Sequence, residues 1–248
     1  MSYGSFARYY DSLTHNVEYE KRADYLCELM KRFDHSAGIT LDLACGTGSL
    51  TVALAKRGID VYGIDGSVPM LSVAQQKAAA NGLNLLFLCQ QMQSIDLYGT
   101  VDTVVCALDS INHMTNENDV LKAFERVSLF LNPNGYFIFD MNTIYKHKKI
   151  LSNHMFLYDT DDVYCVWQNN FEEKSNCVGI TLDFFGREGN AYYRSSEHFY
   201  ERAYSTELIV SLLSKAGLET VGLFDDLSFK APTDHTERVV VAAKKIKD

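Results

Sequence analysis

Short apolar runs alternate with longer amphipathic stretches from Tyr19 to Thr143. Tyr19, Ala23, Leu26, Cys27 and Met30 recur at helical spacing, which predicts an amphipathic helix ending near Gly38. Ile39 to Leu43 reads as a first core strand, and a helix from about Ser49 to Arg57 follows, with Gly58 suited to a left-handed cap. Val61 to Ile64 is a second strand. Ser67 can cap the next helix, with Pro69 tolerated in its first turn and Asn81-Gly82 closing it. Leu83 to Leu88 and Val101 to Leu108 are the third and fourth strands. Asn118 to Leu131 is helical and stops at Asn132-Pro133-Asn134-Gly135, and Tyr136 to Met141 is the fifth strand. Such alternation predicts an α/β fold, a doubly wound parallel sheet covered by helices on both faces. Its ligand crevice should lie at the carboxyl ends of the strands.

The regular alternation stops after Thr143. Residues 145–204 hold 13 aromatic side chains in 60 positions, against 12% aromatics in the chain as a whole. The runs Asp162 to Phe171, Asn176 to Phe185 and Ala191 to Arg202 are strand-like, with Gly186 to Asn190 the clearest turn. An antiparallel β-meander inserted at residues 145–204 of one domain spanning 1–248 is therefore expected. It would roof the crevice, form a small core of its own, or make a dimer contact. Leu208, Ile209, Leu212, Leu213 and Ala216 mark a last helix closed by Gly217; Leu218 to Phe224 and Arg238 to Ala243 should complete the sheet.

Within this pattern, Leu41-Asp42-Leu43-Ala44-Cys45-Gly46-Thr47-Gly48 couples the first strand to a glycine turn, and Gly63-Ile64-Asp65 ends the second strand. Strand, turn, helix and carboxylate together form a site for an adenosine-bearing cofactor. A dinucleotide needs Gly-x-Gly-x-x-Gly so that its pyrophosphate can rest on bare backbone. Here the third position is Thr51, and Asp42 would aim negative charge at the turn. That charge suits the ammonium and sulfonium of S-adenosyl-L-methionine, while Asp65 can accept both ribose hydroxyls. The plainer alternative makes Asp42 a turn cap and the glycines mere turn residues.

Composition narrows the partners. The 248 residues carry 23 basic and 32 acidic side chains, a net charge of −9, and are 47% hydrophobic. An acidic chain has no long-range attraction for nucleic acid or anionic lipid, although a local basic patch is compatible with this balance. Lys146, His147, Lys148 and Lys149 form one such run, read as a solvated loop or helix face. None of the six cysteines stands in a Cys-x-x-Cys pair, which points to reduced core thiols and away from a disulfide or metal framework. No apolar run approaches the ~20 residues that span a bilayer, and a cytoplasmic location with no membrane partner is expected. The sequence is silent on oligomeric state.

Several pieces, in this order and spacing, give a family resemblance over nearly the full length. They are Tyr3-x-x-Phe6-Ala7-x-x-Tyr10-Asp11, Asp42-x-Ala44-Cys45-Gly46-Thr47-Gly48, Gly63-Ile64-Asp65-Gly66-Ser67, Leu108-Asp109-Ser110-Ile111-Asn112, Phe137-Ile138-Phe139-Asp140, Arg202-Ala203-Tyr204 and Thr236-Glu237-Arg238. The chain resembles the class I S-adenosylmethionine-dependent methyltransferases, in particular small bacterial cytoplasmic enzymes with a β-meander insert. The resemblance implies a seven-stranded sheet whose last strand is antiparallel. It also implies that Ala44, Gly46 and Gly48 border the methionine part and that Asp65 holds the ribose. Gln91, where relatives often have Asp, would accept from the adenine amino group, with the Met92 amide on a ring nitrogen.

Further roles concern the acceptor. Tyr10 would close over the methionine end or simply pack with Phe6 and Tyr9. Asp109 and Asn112 would border the methyl group or cap the following turn. His113 follows the fourth strand at the crevice, as a catalytic group or as a helix start. His15, His35, His154 and His235 are read as structural. Relatives place a histidine near the end of the meander; here Phe199 takes that position with His198 beside it, on the opposite strand face. Tyr145 is a further candidate, and Arg202 and Tyr204 are expected to face the crevice from the roof. The acceptor suggested is a small molecule, with a modified tRNA base as the alternative. An NAD-dependent oxidoreductase and a non-catalytic binder of S-adenosylmethionine are the rival classes.

Overall fold

The computed structural model describes residues 4–14 and 16–246. Tyr3 and His15 lie outside them. In chain order the elements are α1 (Gly4–Leu13), α2 (Tyr19–Arg32), β1 (Ile39–Leu43), α3 (Ser49–Lys56), β2 (Asp60–Asp65), α4 (Val68–Ala80), β3 (Phe87–Cys89), β4 (Val101–Cys106), α5 (Glu117–Phe130) and β5 (Leu131–Asn142). Then come β6 (Met155–Asp159), β7 (Val163–Glu172), β8 (Cys177–Glu188), β9 (Ala191–Arg202), α6 (Thr206–Lys215), β10 (Leu218–Asp225) and β11 (Arg238–Lys245).

Seven strands form one sheet in the order β10-β11-β5-β4-β1-β2-β3. β1, β2, β3, β4 and β5 are parallel, and β11 runs antiparallel to both neighbours, β5 and β10. Strand alternation sorts the core into two layers. Phe137 and Phe139 of β5 pack with Phe124 of α5 on one face, whereas Tyr136 and Ile138 face the layer holding Leu26, Leu29 and Leu54. Both faces are covered by helices, so the parallel strands read as apolar runs. Ser67 caps α4 as expected, accepting from the Met70 amide, and Asn116 and Ser205 cap α5 and α6 by accepting from Asn118 and Leu208.

The insert between β5 and α6 is a four-stranded antiparallel sheet, β6-β7-β8-β9. Four details differ from the sequence reading. β6 is an additional strand. Gly186 pairs with Val163 and Tyr193 inside the ladder, and the turn is only Gly189-Asn190. The basic run forms a π-helical turn, Lys146–Leu151, in which His147 is completely buried, so it is not merely a solvated face. The N-terminal segment forms α1, whose Phe6, Tyr9 and Leu13 pack on Phe184, Phe199, Ile180 and Val178 of the insert. The aromatic side of the meander is thus mainly a small core against α1.

No described helix is long and apolar enough to cross a membrane. All six cysteines are free thiols.

Candidate active site

A cavity of about 320 Å³ opens at the carboxyl ends of β1 to β4. Its wall includes Ala44 and Gly46 after β1, Asp65 ending β2, Gln91 and Met92 after β3, and Leu108, Ser110 and His113 after β4. Phe6 and Tyr10 close it from α1. The four strand ends converge because the strands are parallel neighbours, which is the crevice expected of an open α/β sheet.

The glycine turn is held by two acids in different ways. Asp65 Oδ2 accepts the Gly46 amide at 2.9 Å and Oδ1 accepts the Ser67 amide at 2.8 Å. Burial raises the Asp65 pKa, with those two amides opposing. Asp42 lies beneath the turn, 2% exposed, and accepts the Thr51 hydroxyl at 2.6 Å. Burial pushes the Asp42 carboxyl up to about 7, against that hydrogen bond. Asp42 borders a smaller recess with Tyr10, Ala44 and Gly46, adjoining the main cavity through shared walls. Thr51 therefore has a task of its own where a dinucleotide site would have glycine.

The glycines divide the labour. Gly46 has φ +54° with open space where a Cβ would sit, leaving its backbone accessible from the cavity. Gly48 has φ +72°, and a Cβ there would lie 2.8 Å from Ala74. It is absent from the main cavity wall, and its lack of a side chain lets α4 approach the turn. Ala44, at φ 60°, shares the left-handed backbone without being glycine.

The next turn repeats the device. Leu108 and Asp109, with φ 59° and 52°, donate their amides to the buried Asp140 carboxylate at 2.9 and 2.7 Å. Arg22 and Arg238 also bond Asp140, and Arg238 pairs with Asp109 at 2.6 Å. Burial alone would raise Asp109; Arg238, Lys146 and His113 outweigh it and hold the carboxyl at about 2. Asp109 makes no side-chain cap for the turn it starts. It lies behind the main cavity rather than in its wall.

Other expected residues are elsewhere. Asn112 is fully buried; its amide nitrogen donates to the Asn142 and Arg202 carbonyls and its oxygen accepts the Asn142 amide. It therefore ties β4, β5 and the insert together and does not border the cavity. Arg202 pairs with Glu117 at 2.6 Å and donates to the Thr115 carbonyl. Tyr204 is 2% exposed in the main core and its hydroxyl donates to the Met114 carbonyl. Neither Arg202 nor Tyr204 lines the crevice; they lock the end of β9 to the start of α5, correcting the roof assignment. His198 is on the outer strand face beside Thr181, with Phe199 buried on the inner face, as alternation requires. Tyr145 packs edge-on against His235, away from the main cavity wall.

His113 is on the cavity wall, 5.3 Å ring to ring from Phe199. Behind it stands Glu201, 4% exposed, which the sequence reading passed over. Asp11 was also missed as a functional position. It accepts from Thr47 and pairs with Lys77 at 2.7 Å, clamping α1 over the glycine turn. Its adjacency to Tyr10 in the motif ending Tyr10-Asp11 was the available signal.

Residues 40–135 match the family described as a methyltransferase domain. The chain is 32% identical to the candidate methyltransferase YqeM of Bacillus subtilis, over 100% of this chain and 98% of that protein. It is 31% identical to a candidate methyltransferase of Geobacillus sp. (strain WCH70), over 99% and 100%. The chain belongs to the class I S-adenosylmethionine-dependent methyltransferases. A crystal structure of an S-adenosylmethionine-dependent methyltransferase from Clostridium acetobutylicum superposes with a TM-score of 0.89 at 36% identity, covering 98% of each chain. The seven-stranded sheet with one antiparallel strand is the fold of this family. The residues present also fit a sulfonium nucleoside: a ribose-competent carboxylate at Asp65, open backbone at Gly46 and a buried acid at Asp42.

Proposed function

We propose that the chain transfers a methyl group from S-adenosylmethionine to a small-molecule acceptor at the His113 end of the main cavity. The observation that carries this reading is that Asp65, Gly46 and His113 line one and the same cavity. Asp65 would accept from ribose, Gln91 and the Met92 amide would meet adenine, and Asp42 would attract the cationic end from beneath the turn. Bound there, S-adenosylmethionine supplies an electrophilic methyl group on a cationic sulfur.

The protein's own work is orientation and exclusion of water. Phe6 and Tyr10 cover the cavity from α1, and Asp11 fastens that helix to Thr47. Burial, first of all, raises the Tyr10 pKa well above the ordinary phenol value, and a side-chain hydrogen bond to Tyr19 adds to the rise. His113 is the side chain that acts on the acceptor. Asp109, held ionised by Arg238, shapes that end through charge without entering the main cavity. A net charge of −9 and a cavity closed by a helix favour a small acceptor over a nucleic acid, and a cytoplasmic setting accords with free thiols.

The test is incubation with methyl-labelled S-adenosylmethionine and, separately, a small-metabolite fraction and bulk tRNA. Label in a small molecule supports the proposal. Label on tRNA contradicts the acceptor class, and cofactor binding without turnover in any fraction supports a binder instead.

A further inference from the structure

Behind the cavity wall, three residues from separate parts of the chain bring ligand atoms together. Asp109 follows β4, His113 ends the same turn, and Glu201 lies near the end of β9. One donor atom from each lies within 4.8 Å of the others. The His113 Nε2 to Glu201 Oε1 separation is 3.8 Å, too long for a hydrogen bond. Two donors each about 2.0–2.2 Å from a shared divalent ion can span it.

The surroundings supply an independent observation. Glu201 Oε2 is buried with no hydrogen-bond partner, although the carboxylate is only 4% exposed. His147 is completely buried, and neither of its ring nitrogens makes a hydrogen bond. Its Nε2 stands 3.4 Å from Glu201 Oε2. Buried polar atoms are normally satisfied, so this concentration in one place is unusual. Among the described residues no lysine or arginine forms an ion pair with Glu201. The neighbouring cations are committed elsewhere: Arg238 to Asp109 and Asp140, Arg22 to Asp140 and Asp226, and Lys146 to Asn142.

The geometry points to a divalent first-row metal site formed by Asp109, His113 and Glu201. His147 would stand behind it on the second oxygen of Glu201. Two carboxylates and one imidazole suit Mn²⁺ or Co²⁺ better than a thiolate-seeking ion. A ligating carboxylate with a histidine on its other oxygen is an ordinary outer-shell arrangement, and it would give His147 Nε2 a partner. Three protein ligands leave coordination positions vacant. The position of His113 on the cavity wall brings those positions within reach of an oxygen or nitrogen donor bound there. The site would make His113 act on an acceptor through the ion, so that role rests on the methyl-transfer reading; the metal site itself does not.

Its test is therefore direct binding without methyl transfer. Metal-stripped protein is titrated calorimetrically with MnCl₂ and CoCl₂, and the cobalt complex is followed by visible absorption. One equivalent should bind the wild type, and Glu201→Gln and His113→Asn should each weaken binding by at least about tenfold, since even an outer-shell partner is worth that much. Circular dichroism of both variants establishes folding, and the His113→Asn arm decides if the buried Glu201 variant unfolds. No saturable uptake by the wild type overturns the site. So does equal affinity in folded variants, or stabilisation by methylammonium with no response to either metal. Metal binding in a protein that labels no acceptor would leave the site standing and remove the methyl-transfer reading.

Discussion

The Asp65 carboxylate receives the Gly46 amide at 2.9 Å, joining the end of β2 to the glycine turn after β1. Its other oxygen takes the Ser67 amide, so one side chain fixes two backbone turns before any ligand arrives. Asp65→Ala should lower the stability of the ligand-free protein by about 1–3 kcal/mol, the cost of unsatisfied partly buried donors. Urea denaturation without cofactor measures this. Unchanged stability would mean that the carboxylate does not organise the turn.

Asp42 predicts an unusual pH dependence. Its folded pKa of about 7 lies above the unfolded reference of about 3.9, so the folded state binds the extra proton between those values. Stability contributed by protonated Asp42 is present at low pH and is lost as pH rises, at up to about 1.4 kcal/mol per pH unit in that window. Asp42→Asn keeps an acceptor for Thr51 and should flatten this loss, leaving the ligand-free variant more stable than wild type at pH 8. S-adenosylmethionine affinity should move oppositely, rising in the wild type from pH 6 to 8 and staying flat in the variant. Denaturation and calorimetry across pH check both halves.

Thr51 donates to a carboxylate with few other partners. Thr51→Val should leave Asp42 with only the backbone amide of residue 51 and cost about 1–3 kcal/mol of stability at pH 8. At pH 5, with Asp42 protonated, the cost should shrink. An equal penalty at both pH values would place the effect in packing.

Tyr204 and Arg202 separate structure from chemistry. Tyr204→Ala should cost about 3–5 kcal/mol by emptying a core position. Arg202→Ala loses the partly exposed Glu117 pair and the Thr115 contact, with a smaller effect. Once folded, either should retain near-normal turnover per active molecule. His113→Asn should do the reverse, with stability and cofactor affinity nearly unchanged and turnover strongly reduced. Thermal melts beside steady-state rates distinguish these patterns.

The turn proposed to hold the cofactor was legible as local structure because it is contiguous. Asp42, Gly46, Thr51 and Asp65 occupy one strand–turn–helix–strand unit, whose periodicity and glycines appear in the sequence. The surroundings of His113, where the acceptor is proposed to bind, were not, because distant segments assemble them. Arg22 reaches Asp140 across 118 positions, and Asn112 reaches the Arg202 carbonyl across 90. No spacing rule connects Glu201 with His113, or reveals that a run of lysines conceals a buried His147. Helix α1 was missed because its stripe mixes Phe6, Tyr9 and Leu13 with polar residues and finds its apolar partners in the distant insert. The roof assignment failed for Arg202 and Tyr204 because aromatic richness marked a core, and the end of β9 and the residues after it turn these side chains toward Glu117 and Met114.

Calorimetric titration at pH 8 with S-adenosylmethionine, then with NAD⁺, on wild type and Asp65→Ala tests the central claim most directly. S-adenosylmethionine should bind the wild type and NAD⁺ should not, and folded Asp65→Ala should lose about 1.5–3 kcal/mol of binding, at least tenfold in affinity. Saturable NAD⁺ binding, or an Asp65→Ala affinity equal to wild type, would contradict the account.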